Sequence, residues 1–274
     1  MSVLEAIVLG ITQGLTEFLP ISSTAHLRIV PALAGWEDPG AAFTAVVQLG
    51  TMAAVLLYFR EDLVRIARAW LRSLRDAGAR RELDARLGWY ILLGTIPIGI
   101  FGLAFKDQIE NGSRDLYLIG SALIVLGVVL LAAERFARHD RPLERITSRD
   151  GIAIGLAQTL ALVPGVSRSG ATITAGLFLG FDRPSAARFS FLLSVPAVVL
   201  SGLFEFATSL DHADEEHVGL GALAIATLFA FAVGYGSIAF LLRYLARHST
   251  IVFVVYRVAL GALVLVLAAS GSIH

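Results

Sequence analysis

Apolar residues run through this chain in long blocks, without the polar face that a soluble helix keeps toward water. Six blocks reach the length of about 20 residues that a helix needs to cross a bilayer. They lie at 41–59, 87–105, 116–133, 186–206, 219–242 and 250–269. Two more apolar stretches, 3–36 and 151–181, are interrupted at their centres. Pro20-Ile21-Ser22-Ser23-Thr24 breaks the first, and Pro164-Gly165-Val166-Ser167-Arg168-Ser169 breaks the second. The arms beside each break hold about 11–13 residues, roughly 16–20 Å of helix, which reaches only half-way through a bilayer. Each stretch therefore predicts a re-entrant hairpin whose non-helical tip is buried in protein or lines a wet cavity.

The order hairpin, three spans, hairpin, three spans divides the chain into 1–145 and 146–274. The hairpins also echo each other, Gly10–Pro20 against Gly155–Pro164, with Gln13 facing Gln158 and one residue slipped. Three crossings is an odd number, so the second half must lie upside down relative to the first. The expected fold class is an all-α integral membrane protein, built as an inverted-topology repeat with six transmembrane helices and two broken re-entrant hairpins.

Composition narrows the class. Of 274 residues, 56% are hydrophobic and 16% charged, against about 25% charged in a soluble domain. Basic and acidic residues balance at 22 each, which removes any global attraction to nucleic acid. The chain has no cysteine, so disulfides, thiolate metal sites and a cysteine nucleophile are excluded. What the charges do show is sidedness. Eighteen arginines fall in 60–86, 134–149, 181–188 and 243–257, all on one side of the six-span arrangement. The opposite loops carry Lys106 and Arg114, with the acidic Asp211, Asp214, Glu215 and Glu216. The arginine-rich side is expected in the cytoplasm, so the first hairpin opens outward and the second inward. Two basic residues, Arg28 and Arg168, sit inside the hairpins instead.

A charged side chain at the centre of a bilayer costs about 2.5–3.5 kcal/mol on insertion scales. Glu17 and Arg168 thus need partners, and pairing with one another as structural glue would meet that need. Their surroundings point further. Gln13, Ser22, Ser23, Thr24 and His26 cluster on the first hairpin, and Ser167, Ser169 and Thr172 on the second. A helix restarting after each proline would turn backbone N–H groups toward the same place. With the hydroxyls and the guanidinium these make an anion site, phosphate above all. Gln13 and Glu17 stand four apart, and Ser23 and His26 three apart, so each pair shares a helix face.

These residues carry a resemblance. Gln13-Gly-Leu-Thr-Glu17-Phe-Leu-Pro-Ile-Ser-Ser-Thr-Ala-His26 resembles the first signature of the undecaprenyl-diphosphate phosphatases, the bacitracin-resistance protein family. Pro164-Gly-Val-Ser-Arg-Ser-Gly-Ala-Thr172 resembles the second. The resemblance extends over the whole chain. It implies hydrolysis of a C55 isoprenyl diphosphate to the monophosphate, which recycles the lipid carrier of peptidoglycan precursors and confers bacitracin resistance. It also implies a divalent cation, Mg²⁺ or Ca²⁺, and work on the outer face of the cytoplasmic membrane. Glu17, Ser23, His26 and Arg168 match the family's catalytic positions, with Glu17 also a metal ligand. Gln13 stands where many members have glutamate, which removes one carboxylate from any two-carboxylate metal site. Ala25 replaces the glycine common before the histidine. The implied partners are the lipid substrate and the bilayer, not nucleic acid; a homodimer is left open.

On this reading Arg168 clamps the diphosphate bidentately with help from Ser167, Ser169 and Thr172, while Gln13, Ser22 and Thr24 line the headgroup. Ser23 attacks the terminal phosphorus, His26 takes or returns its proton, and Glu17 holds the metal or orients His26. The competing scheme has water attack directly, with Ser23 a phosphate ligand. A secondary transporter or flippase for a lipid phosphate is the alternative function, because broken hairpins of inverted repeats also bind anionic cargo. Ser23, His26 and Glu17 beside an arginine favour hydrolysis, since anion binding alone needs neither base nor nucleophile. Arg28 is expected to line the cavity or to reach outward.

Overall fold

The computed structural model describes residues 1–105, 115–210 and 219–273, with side chains except at Ala41, Ser201 and 203–210. Lys106, Arg114 and the four acidic residues of 211–218 therefore lie outside the described residues. The first half contains α1 (Val3–Phe18), α2 (Ser23–Ala34), α3 (Gly40–Tyr58), α4 (Arg60–Ser73), α5 (Leu83–Ala104) and α6 (Leu116–Phe136). The second contains α7 (Ser148–Gln158), α8 (Arg168–Phe178), α9 (Arg183–Leu210), α10 (Leu220–Leu245) and α11 (Ile251–Ala269).

Among the described residues, four helices, α5, α6, α10 and α11, are each long and apolar enough to cross a membrane. The pair α3 and α4 supplies a fifth crossing if its two parts are counted together. The protein is an all-α, multi-pass membrane protein. The expected span 186–206 falls within α9, part of whose C-terminal half lies outside the described side chains. At the end of the expected span 41–59 the chain bends by 70°, between α3 and α4. Beyond that bend α4 is an arginine-rich amphipathic helix, and Arg65 joins Asp62 and Asp84 at 2.7 Å each.

The two halves open in the same way. Ser2 Oγ accepts from the Glu5 N–H while Glu5 Oε2 accepts from the Ser2 N–H, a capping box that starts α1. Thr147 and Asp150 form the same box for α7. Further along, Gly10 brings α1 against α10 and Gly155 brings α7 against α5. A Cβ at Gly10 would lie 2.3 Å from the Ala226 carbonyl oxygen, and one at Gly155 would lie 2.3 Å from that of Gly94. Ser2 and Thr147, Gly10 and Gly155, Gln13 and Gln158, and Ser22 and Ser167 are all separated by the same 145 positions. The one-residue slip read between the hairpins is thus confined to Pro20 and Pro164.

Between the halves lies an apolar core around Phe18, Phe59 and Phe191, with Phe18 and Phe191 edge to face at 5.6 Å. Outside it, Ile100, Leu103, Leu228, Val255 and Val266 are all at least 60% exposed. In water such a surface would drive association, whereas in lipid it is the ordinary exterior. Close packing then falls to small residues, as where Gly120 of α6 meets Gly261 of α11. Polar ties hold the arginine-rich end. Glu134 on α6 receives Arg183 of α9 and, through Thr250 N (3.2 Å) and Oγ1 (2.8 Å), the start of α11. Arg141 grips both oxygens of Asp150 at 3.0 and 2.5 Å.

Because Gly155 packs backbone to backbone, Gly155→Val is expected to cost about 1–3 kcal/mol through overpacking. Thermal unfolding in detergent would show a lowered midpoint for Gly155→Val. Gly236→Ala, where nothing lies within 4 Å of the new carbon, should match the parent. A parent-like midpoint for Gly155→Val would contradict the close contact.

Candidate active site

Both helix breaks are built to the same plan. A proline ring excludes the α conformation at the residue before it, and α1 accordingly stops at Phe18, two residues before Pro20. The chain then turns through Ser22, held at φ 76° and ψ 104°, whose Oγ accepts from the Ala25 N–H and starts α2. In the second break a single tight turn at Thr159–Leu162 follows α7. The chain passes Gly165 at φ 87° and reaches Ser167 at φ 67°, whose Oγ accepts from the Gly170 N–H and starts α8. Left-handed backbone at a residue with a Cβ costs on the order of 1–3 kcal/mol and persists where the surroundings over-determine it. Two serines in that conformation, each capping a helix, therefore mark both breaks as built features.

The breaks touch. Arg168 Nη2 at the start of α8 donates to Glu17 Oε1 at the end of α1. Glu17 Oε2 also accepts from Ser23 Oγ at 2.6 Å and from Gln13 Nε2 at 3.1 Å. One carboxylate thus collects a guanidinium, a hydroxyl and an amide, with the Glu17 and Arg168 side chains only 8% and 16% exposed. Ser169 Oγ donates across the same gap to the Leu19 carbonyl at 3.1 Å. Helix ends leave their first N–H groups without intrahelical partners. The N–H groups of Ser23, Thr24, Arg168 and Ser169 have no acceptor among the described hydrogen bonds. Two helix N-termini, a guanidinium and hydroxyls meet at one junction, a set of donors suited to a phosphate-type anion.

A residue that the sequence placed elsewhere holds this junction together. Arg257 was counted with the arginine-rich loops, yet it lies within α11 and is fully buried. Its Nη1 donates to the Pro20 carbonyl at 3.1 Å. Its Nη2 donates to the carbonyls of Gly165 and Val166, both at 3.2 Å, and Ala122 at 3.4 Å. Nε reaches the Leu123 carbonyl at 3.3 Å. One guanidinium thereby satisfies backbone oxygens of both breaks and of α6, with no carboxylate among its described partners.

His26 also departs from expectation. Its Nδ1 lies 2.7 Å from the Ser22 carbonyl oxygen and its Nε2 lies 2.7 Å from the Tyr256 hydroxyl. Neither ring nitrogen is bonded to Ser23 or Glu17, so the carboxylate orients Ser23 rather than His26. The cause lies in the cap: the left-handed Ser22 points its carbonyl along α2, where it captures the imidazole one turn later. The remaining hydroxyls divide into two groups. Ser22 Oγ meets Thr24 Oγ1 at 3.2 Å, and Ser167 Oγ meets Ser169 Oγ at 3.2 Å, one pair in each break. Thr172 Oγ1 is instead committed to the Arg168 carbonyl at 2.9 Å and to Ser190 Oγ at 2.6 Å, and braces α8 against α9. Arg28 pairs with Asp38 at 3.4 Å.

The model of the bacitracin resistance protein BacA family matches residues 6–263. The chain belongs to this family. A Nocardioides protein named undecaprenyl-diphosphatase is 56% identical over 270 residues, 98% of each chain. One of that name from Myxococcus xanthus is 57% identical over 277 residues, covering all of this chain and 91% of the relative. Another from Prosthecochloris aestuarii is 54% identical over 281 residues and the full length of both.

For the metal that resemblance to the bacitracin-resistance family implies, the donors present are oxygens. No group of three His, Asp or Glu side chains comes together among the described residues. Glu17 offers a carboxylate and Ser23 a hydroxyl, and the buried Gln13 Oε1 has no described partner. Hard cations such as Mg²⁺ are bound through one or two carboxylates with substrate phosphates completing the shell, and this donor set fits that pattern.

Sequence reasoning missed Arg257 and Tyr256 in this family member. The available signal was Arg257 itself, an arginine seven residues into the apolar helix α11 rather than in the loop before it. Arg257→Leu would leave buried carbonyls of both breaks without donors, at about 1–3 kcal/mol each. The expected outcome is a marked loss of folded protein or of thermal stability in detergent, only partly restored by Lys, which lacks the fork of donors. A parent-like unfolding midpoint for Arg257→Leu would show that the breaks hold together without it.

Proposed function

We propose that this protein hydrolyses undecaprenyl diphosphate to undecaprenyl phosphate and phosphate, recycling the carrier lipid of peptidoglycan synthesis. The observation that carries the reading is the junction itself, where Glu17 bonds at once to Ser23 and to Arg168 beside two helix N-termini. Its relatives' names supply the substrate. A carrier of anions alone would need the arginine and the N–H groups but not a carboxylate set on a hydroxyl.

The geometry supports a two-step course. A guanidinium has five N–H donors, so Arg168 holds the diphosphate while one donor stays on Glu17. Ser23 Oγ attacks the terminal phosphorus, its proton passes to Glu17, and the bridging P–O bond breaks to release undecaprenyl phosphate. Water then attacks the phosphoserine, giving up a proton to His26 Nε2; the Ser23 Oγ–P bond breaks, Ser23 recovers its proton from Glu17, and phosphate leaves with the proton that His26 returns. The free N–H groups of both helix starts face charge that grows on the phosphate oxygens. A divalent cation held by Glu17 and Gln13 Oε1 would neutralise part of that charge. Ser22, Thr24, Ser167 and Ser169 shape the headgroup pocket around these groups.

The halves 1–145 and 146–274 are read as an inverted-topology repeat in the cytoplasmic membrane, supported by the matching caps, glycines and breaks 145 positions apart. With the arginine-rich loops in the cytoplasm, the first hairpin opens outward and admits the headgroup from that face.

Arg168→Ala should abolish phosphate release from the C55 diphosphate by purified, folded protein supplied with Mg²⁺. Retained activity above about a tenth of the parent would remove Arg168 from the transition state, because charge clamps of this kind are worth about 10³-fold or more.

A further inference from the structure

His26 makes two side-chain hydrogen bonds, and together they fix the state of its ring. The Ser22 carbonyl oxygen, 2.7 Å from Nδ1, carries no proton, so Nδ1 must be the donor. In the neutral imidazole Nε2 is then the acceptor, and the group 2.7 Å away is the phenol of Tyr256, which has a proton to give. The two rings lie within 6° of parallel, with centroids 5.6 Å apart. Tyr256 is 43% exposed whereas His26 is 5% exposed, which makes the phenol the outward-facing member of the pair. Tyr256 follows from the same helix as the buried Arg257, whose clamp on both breaks sets where α11 presents the phenol.

We infer that Tyr256 is the positioning residue of His26. Its hydroxyl, donating to Nε2, and the Ser22 carbonyl, accepting from Nδ1, together hold the imidazole as the Nδ1–H tautomer with the basic Nε2 aimed at the phenol. The phenol also covers Nε2 until the second step, when the attacking water takes its place and delivers a proton there. The histidine is thereby kept off Ser23, whose proton already has Glu17 at 2.6 Å, and is reserved for the water. A division of labour follows, with Glu17 serving the serine and the pair His26–Tyr256 serving hydrolysis of the phosphoserine. This assignment of the water step rests on the hydrolase reading; the tautomer does not.

Tyr256→Phe removes the hydroxyl and keeps the ring, so packing is preserved, and an unchanged unfolding midpoint verifies that. Parent and variant would be labelled with ¹⁵N-histidine, with His26→Gln locating the His26 signals. The parent should show a protonated Nδ1 and an unprotonated Nε2, and Tyr256→Phe should shift the Nε2 signal or mix the tautomers. In parallel, kcat for phosphate release should fall by about tenfold or more while KM stays within about twofold. An unchanged His26 signature in Tyr256→Phe would overturn the positioning role, and so would a parent-like kcat. A parent that releases no phosphate would defeat the proposed function, and the nitrogen signature would still decide whether the phenol sets the tautomer.

Discussion

Backbone that leaves the helical path inside an apolar medium must find partners for its exposed carbonyls, and here the side chain that provides them is Arg257. Unpaired peptide groups in hydrocarbon cost several kcal/mol each, which is why broken helices survive only where protein or water satisfies them. Arg257 donates to Pro20 in one break and to Gly165 and Val166 in the other. It therefore does for two interrupted hairpins what a hydrogen-bond ladder does for an unbroken helix. The proximity of Glu17 and Arg168 follows from it, since each stands beside a break that the same guanidinium holds.

That constraint shapes the chemistry. A buried guanidinium with no carboxylate among its described partners leaves positive potential near the junction, and two helix N-termini add to it. Glu17 and Arg168 offset one another, so the charge of Arg257 remains, in keeping with the proposal that the junction receives an anion. Each half contributes unlike parts to this common centre. The first supplies the carboxylate of Glu17, the hydroxyl of Ser23 and the imidazole of His26, and the second supplies the guanidinium of Arg168. Matching scaffolds thus carry complementary functional groups, Ser23 following the first cap and Arg168 the second.

Much of this was legible in the sequence because an apolar medium makes polar residues conspicuous. Pro20 and Pro164 announced both breaks, and Glu17 and Arg168, charged in otherwise apolar stretches, announced each other. Spacing of four placed Gln13 on Glu17 correctly. What sequence periodicity missed depends on backbone geometry that no spacing rule contains. Ser23 and His26 do stand three apart, yet the left-handed Ser22 turns its carbonyl to His26 and leaves Ser23 to Glu17. Thr172 shares the motif, but the register of α8 commits its hydroxyl to Arg168's carbonyl and to Ser190. Arg257 was hidden by its proximity in sequence to genuine loop arginines, and only the start of α11 at Ile251 shows that it lies inside the apolar helix.

The most direct measurement is a structure of this protein with a non-hydrolysable methylene-bridged isoprenyl diphosphate. Its terminal phosphoryl group should lie within hydrogen-bond reach of the Arg168 guanidinium and of N–H groups at both helix starts, with Ser23 Oγ facing the phosphorus. A headgroup bound anywhere else, or breaks drawn apart in its presence, would contradict a shared catalytic junction.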